Sequence, residues 1–172
     1  LTTGDGKLSG ELTLFYIDWT NQQISHTVPA VGNVIDNAGH SDSKGVEMTV
    51  TARPLGNFLL TANYGYTYAR FLDYKKNETT NYAGKMIPLV PRHTLDVGAQ
   101  YTIRPGRGFD AIRLSTNVTG VGKLYWNEDN AQAQRFYALL NAKAAFQKGI
   151  VTVELWGKNL TDTEYLSYYF VS

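Results

Sequence analysis

The feature that most constrains this chain is an alternation of apolar and polar side chains with a period of two residues. In GVEMTVTAR the apolar positions are Val46, Met48, Val50 and Ala52. Successive side chains of a β-strand point to opposite faces, so this stretch has one apolar face and one polar face. The pattern recurs in FLLTANYGYTYARF at 58–71 and HTLDVGAQYTI at 93–103. It predicts an all-β protein.

The pattern predicts about seven long strands in an antiparallel, up-and-down meander. Their approximate ranges are 8–28, 35–53, 58–71, 92–104, 111–126, 135–147 and 150–159, and we expect interruptions in the first two. The segment ALLNAKAAF at 138–146 has a high helix propensity. We assign it to a strand because the Lys-Gly pair at 148–149 favours a hairpin turn.

The connections between the predicted strands alternate between short and long. Short turns with Gly or Pro lie at 54–57, 104–110 and 147–149. Longer polar loops lie at 27–34, 72–91 and 127–134. In a meander this alternation puts all short turns at one end, as in outer-membrane barrels. Aromatic residues near strand ends are then expected to form interfacial girdles: Tyr68, Tyr101, Tyr125, Trp126, Phe136, Tyr137 and Trp156.

The composition excludes several classes of function. The 172 residues carry a formal net charge of +1 and no long basic stripe, which argues against a nucleic-acid-binding protein. The absence of Cys excludes thiolate metal sites and thiol nucleophiles, and the three His residues lack metal-ligand spacing. We therefore expect no metal and no cofactor. The polar strand face is rich in Thr, Asn, Ser, Gln and Gly, a lining that suits a water-filled or plugged lumen.

Four segments resemble, in chain order, landmarks of the C-terminal barrel of TonB-dependent outer-membrane receptors. They are FYIDWTNQQI at 15–24, GVEMTVTARP at 45–54, VPRHTLDVGAQY at 90–101 and LWGKNLTDTEY at 155–165. The residues that match the motifs of that family are Gly45, Val46, Glu47, Pro91, Arg92, His93, Asn159, Leu160, Thr161, Asp162 and Tyr165. In this resemblance Asn159 to Tyr165 form the last external connection, with Tyr165 packed on the rim.

The resemblance implies that residues 1–172 are a partial domain, the C-terminal part of a larger barrel of the 22-stranded type. Plug and closing strand are then expected to lie outside the segment. The implied function is TonB-energised uptake of a scarce nutrient, such as a ferric siderophore, across a bacterial outer membrane. Lipid is the implied partner of the wall, whereas TonB and the plug would act through the intact receptor only. An isolated segment would have open strand edges through which it could self-associate.

The long predicted loops contain the candidate contacts to an external ligand. These residues combine aromatic rings with charge: Tyr74, Lys75, Lys76, Tyr82, Lys85, Trp126, Glu128 and Asp129. Such a mixture suits an anionic or sugar-like ligand. A ferric siderophore, cobalamin, a glycan and another metal chelate all remain open as the ligand.

Two other function classes are compatible with a β-rich chain. One is a soluble β-sandwich or small barrel that binds carbohydrate or protein. The other is an outer-membrane enzyme, for which His40, Ser41 and Asp42 contain the residue types of a catalytic triad. Adjacent residues on an extended chain point in opposite directions, so these three cannot form the relay locally. We therefore expect a protein that is not an enzyme.

Overall fold

The computed structural model describes residues 1–21, 23–28, 31–37, 39–76 and 79–169. The chain forms an open antiparallel sheet of seven strands in the order β1-β4-β5-β6-β7-β10-β11. These strands are β1 (Leu8–Thr20), β4 (His40–Leu55), β5 (Phe58–Asp73), β6 (His93–Ile103), β7 (Ala111–Val121), β10 (Tyr137–Lys148) and β11 (Val151–Gly157). Two hairpins complete the described part: β2 (Gln23–Val28) with β3 (Gly32–Asn37), and β8 (Leu124–Tyr125) with β9 (Ala133–Gln134). The predicted all-β meander is confirmed.

The strand register aligns the apolar positions of all seven strands on one face. One row of paired residues crosses six of the seven strands: Leu12, Met48, Tyr64, Leu95, Gly120 and Ala138. Further along β10, on the same face, Ala144 pairs with Leu155 of β11. The opposite face carries Thr49, Asn63, Asp96 and Thr119 at neighbouring positions. Strands β4 to β7 therefore have an apolar face and a polar face, as the alternation predicts, whereas β1 carries Phe15, Ile17 and Trp19 on the face of Thr49.

The described residues do not form the β-sandwich of the alternative prediction. A sandwich would cover the apolar face with a second sheet, but the described part of the chain contains only two short hairpins besides the large sheet. Leu12, Leu14 and Leu155 are 65%, 72% and 64% exposed. An apolar surface of this extent needs an apolar environment or a partner surface. Within the described ranges there is no helix that could cross a membrane.

The two ends of the sheet differ as the loop lengths predict. The short-turn end contains the connections β4–β5, β6–β7 and β10–β11, together with a turn at residues 4–7 that precedes β1. In that turn the carboxylate of Asp5 accepts hydrogen bonds from the Thr3 hydroxyl (2.7 Å) and the Lys7 backbone N–H (3.1 Å). These bonds hold the pKa of the Asp5 carboxyl below its ordinary value. The long-loop end contains residues 21–39, 74–92, 122–136 and 158–169.

Most predicted strand bounds agree with the structure, and two details differ. The segment 138–146 belongs to strand β10, so the assignment against its helix propensity is confirmed. The predicted strand 111–126 is interrupted at 122–123, where the Gly122 N–H bonds to the His93 carbonyl. The predicted loop 27–34 is wrong in extent, because β2 and β3 continue the wall as a hairpin beyond β1 and β4.

The predicted aromatic girdle is partly wrong. Tyr68 and Tyr101 lie on the apolar face, opposite Lys44 and Phe58 respectively. Trp156 pairs with Lys143, and Tyr137 pairs with Val121, so both lie on the polar face. The prediction considered only distance from the strand end, whereas an interfacial girdle also requires the correct face.

Candidate functional site

The most buried side chains of the described part lie at the long-loop end, beneath the loop 74–92. Phe71 at the end of β5 is fully buried, and Tyr74 is 1% exposed. Their ring centroids are 5.0 Å apart, and Tyr82 packs on Tyr74 at 5.4 Å. Ile87 completes this aromatic cluster. The cluster fixes the loop against the wall, so in this conformation Tyr74 supports the loop and is not accessible to a ligand.

The Asn130 side chain joins the loop 74–92 to the loop 122–136. The Asn130 side chain accepts a hydrogen bond from the Met86 N–H (2.7 Å) and donates one to the Met86 carbonyl (2.9 Å). It also donates to the carbonyl of Asn127 at 3.2 Å. We call this set of bonds the loop clamp. An ion pair between Lys76 and Glu128 at 3.7 Å joins the same two loops.

The structure brings together only part of the predicted ligand contacts. Lys76, Tyr82 and Glu128 form one group, since the Lys76 ammonium lies 5.6 Å from the Tyr82 ring centre and pairs with Glu128. Lys75 and Lys85 are exposed on the same loop. These five side chains therefore give the loop surface both aromatic and cationic character.

The other two predicted contacts lie on the loop 122–136. Trp126 is half-buried at 6.3 Å from the Tyr168 ring, and among the described residues its Nε1–H has no hydrogen-bond partner. Asp129 is exposed, and its carboxylate accepts the Ala131 N–H at 2.8 Å. Asp129 thus shapes a local turn, whereas the indole N–H of Trp126 is buried and is not accessible to a ligand in this conformation.

The segment Asn159 to Tyr165, which we call the latch, folds back onto β10. The Asn159 side chain accepts the Thr163 N–H at 2.9 Å and donates to the Thr163 carbonyl at 3.1 Å. The backbone N–H of Asn159 bonds to the Asn141 side chain at 3.0 Å, and that of Leu160 bonds to the Leu140 carbonyl at 2.8 Å. The latch therefore extends the β11 edge of the wall above the last paired residue.

Aromatic stacking and a close contact complete the latch. The Tyr165 ring stacks on Tyr137 with centroids 4.5 Å apart and planes at 8°. Leu160 lies over Gly157, where an added Cβ would come within 2.6 Å of it. Thr161 and Thr163 share a hydroxyl hydrogen bond of 3.0 Å, and the Asp162 N–H bonds to the Asn159 carbonyl at 2.9 Å. The latch contacts are thus structural.

The two other motifs stabilise the wall. At Gly45 an added Cβ would clash with the Tyr66 carbonyl oxygen and the Phe15 ring, so only glycine fits. The neighbouring Val46 faces Tyr66 on the apolar side, and Glu47 lies on the polar side. Pro91 directly precedes the backbone bond from Arg92 N–H to the Lys123 carbonyl (3.0 Å), and His93 Nδ1 lies 2.8 Å from the Tyr64 hydroxyl.

The polar face carries a connected group of hydrogen bonds near the middle of the sheet. The Asp96 carboxylate accepts bonds from the Asn117 amide at 3.0 Å and from the Thr119 hydroxyl at 2.9 Å. Toward the short-turn end, Arg113 donates to the Gln147 side chain at 2.8 Å, and Lys143 pairs with Glu154 at 3.1 Å. This face can therefore contact water or a polar protein surface.

The residues that resemble a catalytic triad do not interact with one another. His40 pairs with Asp18, and Asp42 pairs with Arg70 at 3.0 Å. Ser41 is buried on the opposite face from Asp42. The side chain of His26 is outside the described residues. Throughout the described ranges there is no group of three or more His, Cys, Asp or Glu side chains that could hold a metal ion.

A family model for the β-barrel of TonB-dependent receptor-like proteins matches residues 1–160. The chain belongs to this family. The pesticin receptor of Yersinia pestis is 26% identical over 159 residues, which are 92% of this chain and 23% of that receptor. The pesticin receptor of Yersinia enterocolitica has the same identity and coverage. The chain thus spans about a quarter of the length of these curated relatives.

Solved structures agree with this fold. The ferric yersiniabactin uptake receptor FyuA from Yersinia pestis superimposes with a TM-score of 0.79 at 23% identity, over 96% of this chain and 24% of that one. BauA, the ferric preacinetobactin receptor from Acinetobacter baumannii, gives 0.72 at 22% identity, over 93% and 24%. The predicted family, fold class and outer-membrane location are confirmed. In outer-membrane barrels the apolar face contacts lipid and the long loops lie outside the cell, and we call the long-loop end of this chain the rim.

Sequence reasoning missed the residues that join the rim loops. Asn130 and Asn141 were not among the predicted site residues, although both bond to backbone groups of distant segments. A weak signal for Asn130 was present, because asparagine is among the few residues that tolerate the left-handed conformation, and its φ is 58°. No signal in the sequence identifies Met86 or Asn159 as the partners.

Proposed function

We propose that this chain is part of the wall of a TonB-dependent receptor that takes up a ferric siderophore through the outer membrane. The observation that carries the proposal is the family match over residues 1–160. Two similar proteins, the ferric yersiniabactin uptake receptor FyuA and the ferric preacinetobactin receptor BauA, support an iron chelate as the substrate class. The chain is the C-terminal part of the barrel, and the plug and TonB act through the intact receptor.

Within that receptor the segment supplies three surfaces. The apolar face seals the wall against lipid, the polar face lines the lumen, and the rim loops present the first contacts to the ligand. Exposed Lys75 and Lys85, with half-buried Tyr82 and Trp126, supply cations and aromatic rings. These groups suit an anionic iron chelate with aromatic or hydroxylated parts. The segment itself performs no covalent chemistry.

Uptake of radioactive iron tests this function. Cells that produce the intact receptor would be offered ferric yersiniabactin, ferric preacinetobactin and ferripyoverdine separately, each with and without TonB. We expect TonB-dependent uptake of at least one chelate. Uptake of none, or uptake that does not need TonB, would contradict the proposal.

The rim contacts are tested by matched lysine substitutions in the same assay. The double variant K75Q/K85Q removes two exposed cations from the rim, and K148Q removes one from the short-turn end. We expect weaker ligand binding in the double variant, with a higher concentration for half-maximal uptake, and no change in K148Q. Equal behaviour of both variants would remove Lys75 and Lys85 from the ligand site.

A further inference from the structure

Three cationic side chains converge on one aromatic ring on the lipid-facing side of the wall. The Arg92 guanidinium lies 4.8 Å from the Tyr68 ring centre, the Lys44 ammonium 5.6 Å and the Arg70 guanidinium 5.7 Å. Tyr68 pairs with Lys44 across β4 and β5. This pair lies on the apolar face, next to the pair formed by Val46 and Tyr66. We call Lys44, Tyr68, Arg70 and Arg92 the cation cluster.

The cation cluster lies at the outer boundary of the hydrocarbon layer. Phe58, at the short-turn end of β5, is ten residues from Tyr68 on the same face. Ten residues of strand extend about 34 Å, which corresponds to about 26 Å along the membrane normal at a tilt of about 40°. The apolar band of such barrels is about 25 Å tall. The apolar face below Tyr68 therefore fills the band, and the cluster is level with the lipid headgroups.

The cluster has more positive than negative charge. Asp42 neutralises Arg70 through a bond of 3.0 Å. Lys44 is exposed, and within the described ranges no carboxylate pairs with Lys44 or Arg92. The Nε–H of Arg92 is buried without a hydrogen-bond partner among the described residues. The net charge of +2 faces lipid, where an unpaired cation is unfavourable unless an anion accompanies it.

A shallow groove connects Lys44 and Arg70 to the apolar surface below them. Its volume is about 540 Å³, and its lining includes Lys44, Val46, Tyr66, Tyr68 and Arg70. The upper part of the groove is cationic, and the lower part is apolar or aromatic. This combination complements an amphiphile with an anionic head and an acyl chain.

We propose that the cation cluster binds the phosphate group of an outer-leaflet lipid, whose acyl chain lies against Val46 and Tyr66. Lys44 and Arg92 supply the free charge, Arg70 is held in place by Asp42, and the Tyr68 ring positions all three cations. The site is separate from the proposed ligand contacts on the rim loops. Its test therefore does not depend on siderophore uptake.

The first test uses the unaltered intact receptor, so it does not depend on the folding of a variant. The receptor, delipidated in a neutral detergent, would be titrated with lipid A and with dephosphorylated lipid A, and bound lipid would be counted by native mass spectrometry. We expect at least tenfold weaker binding of the dephosphorylated lipid, and a loss of lipid A binding as salt rises. Equal affinity for the two lipids would overturn the proposal.

Inorganic phosphate distinguishes a lipid site from a simple anion site. Because the groove also offers apolar surface, inorganic phosphate at the concentration of the lipid is expected to leave lipid A bound. Displacement of lipid A by equimolar phosphate would overturn the assignment of the groove to a lipid.

The second test removes the two unpaired cations and keeps the Arg70–Asp42 pair. The double variant K44Q/R92Q should bind lipid A about thirtyfold more weakly, the loss that two surface cations predict. K148Q is the matched control, because Lys148 lies on the same apolar face at the opposite end of the sheet, where it pairs with Val151. R92K, which keeps the charge, should bind nearly as tightly as the unaltered receptor. Unchanged lipid binding in K44Q/R92Q would contradict the proposal.

Discussion

The two ends of the sheet reverse the chain direction in different ways. In the described turns of the short-turn end, the residues with positive φ are glycines: Gly6, Gly106, Gly108 and Gly149. At the long-loop end five non-glycine residues adopt positive φ: Asn21, Leu89, Asn130, Asn159 and Asp162. A left-handed conformation costs a residue with a side chain about 1–2 kcal/mol, and glycine almost nothing.

The difference shows what each end contributes. At the rim, side-chain hydrogen bonds offset the backbone cost: Asn130 bonds to Met86 of another loop, and Asn159 bonds to Thr163 within the latch. At the short-turn end, an added Cβ at Gly6, Gly106 or Gly149 would meet nothing within 4 Å. Glycine is favoured at these positions because of the positive φ and not because of close packing. The short turns thus connect neighbouring strands through backbone geometry. At the rim, side chains that join distant segments hold the loops in place.

The largest effect is expected from breaking the loop clamp with Asn130→Ala. The change removes both bonds to Met86 and places alanine at a φ of 58°. We expect the loop-opening free energy to fall by about 2–4 kcal/mol, because two half-buried backbone groups lose partners and the new residue is strained. Hydrogen exchange at the Met86 amide in the intact receptor measures this.

Two companion variants separate the causes of this effect. Asn130→Gly removes the side-chain bonds but not the left-handed preference, so it should cost about 1–2 kcal/mol less than alanine. Asp129→Ala changes an exposed neighbour that bonds only to Ala131, and it should leave the Met86 amide protected. If alanine and glycine at position 130 gave the same exchange rate, backbone strain would play no part at the rim.

The second prediction concerns a short turn. Gly149→Ala places a side chain at a φ of 57°, and we expect a loss of about 1–2 kcal/mol in the free energy of unfolding from lipid. Urea titration of the receptor in vesicles measures it. Gly56→Ala is the control, because Gly56 does not have a positive φ and an added Cβ would meet nothing within 4 Å. A protected Met86 amide in both variants would show that the two ends are independent.

The same contrast explains which parts of the fold could be predicted from the sequence. The short turns depend on glycine and proline at fixed local positions, so 104–110 and 147–149 were identified directly. The faces depend on the alternation within each strand, so Val46, Met48 and Val50 were placed together correctly. Both signals are local, and both survive without knowledge of the strand register.

The rim depends on contacts between residues that are distant in sequence. Asn130 and Met86 are 44 residues apart, and Leu166 bonds to the side chain of Gln134 from 32 residues away. Neither pair follows from propensity or periodicity, because each depends on which strands are neighbours and on their register. For the same reason Tyr74 resembled an exposed loop residue in the sequence, although the fold buries it under Tyr82.

The third prediction measures the stacking in the latch. Replacement of Tyr165 and Tyr137 by leucine, singly and together, should give a coupling energy of about 0.5–1.5 kcal/mol, because the rings stack at 4.5 Å. Hydrogen exchange at the Leu160 amide reports the opening of the latch. The control pair is Phe109 and Phe146 near the short-turn end, whose centroids are 5.5 Å apart. Replacement of Phe109 and Phe146 by leucine should leave hydrogen exchange at the Leu160 amide unchanged.

The smallest effect is expected at the turn before β1, where Asp5 accepts the Thr3 and Lys7 bonds. Because these bonds lower the pKa of Asp5, their contribution is complete above the ordinary value of 3.8 and is lost as pH falls through the lower folded-state pKa. At neutral pH, Asp5→Asn should leave the rim unchanged, since an amide oxygen can still accept these bonds. A carboxyl titration of Asp5 by NMR in the intact receptor checks the direction of the shift. A midpoint above 3.8 would show that the turn does not hold this carboxylate, and that even the short-turn end depends on more distant contacts than its local geometry indicates.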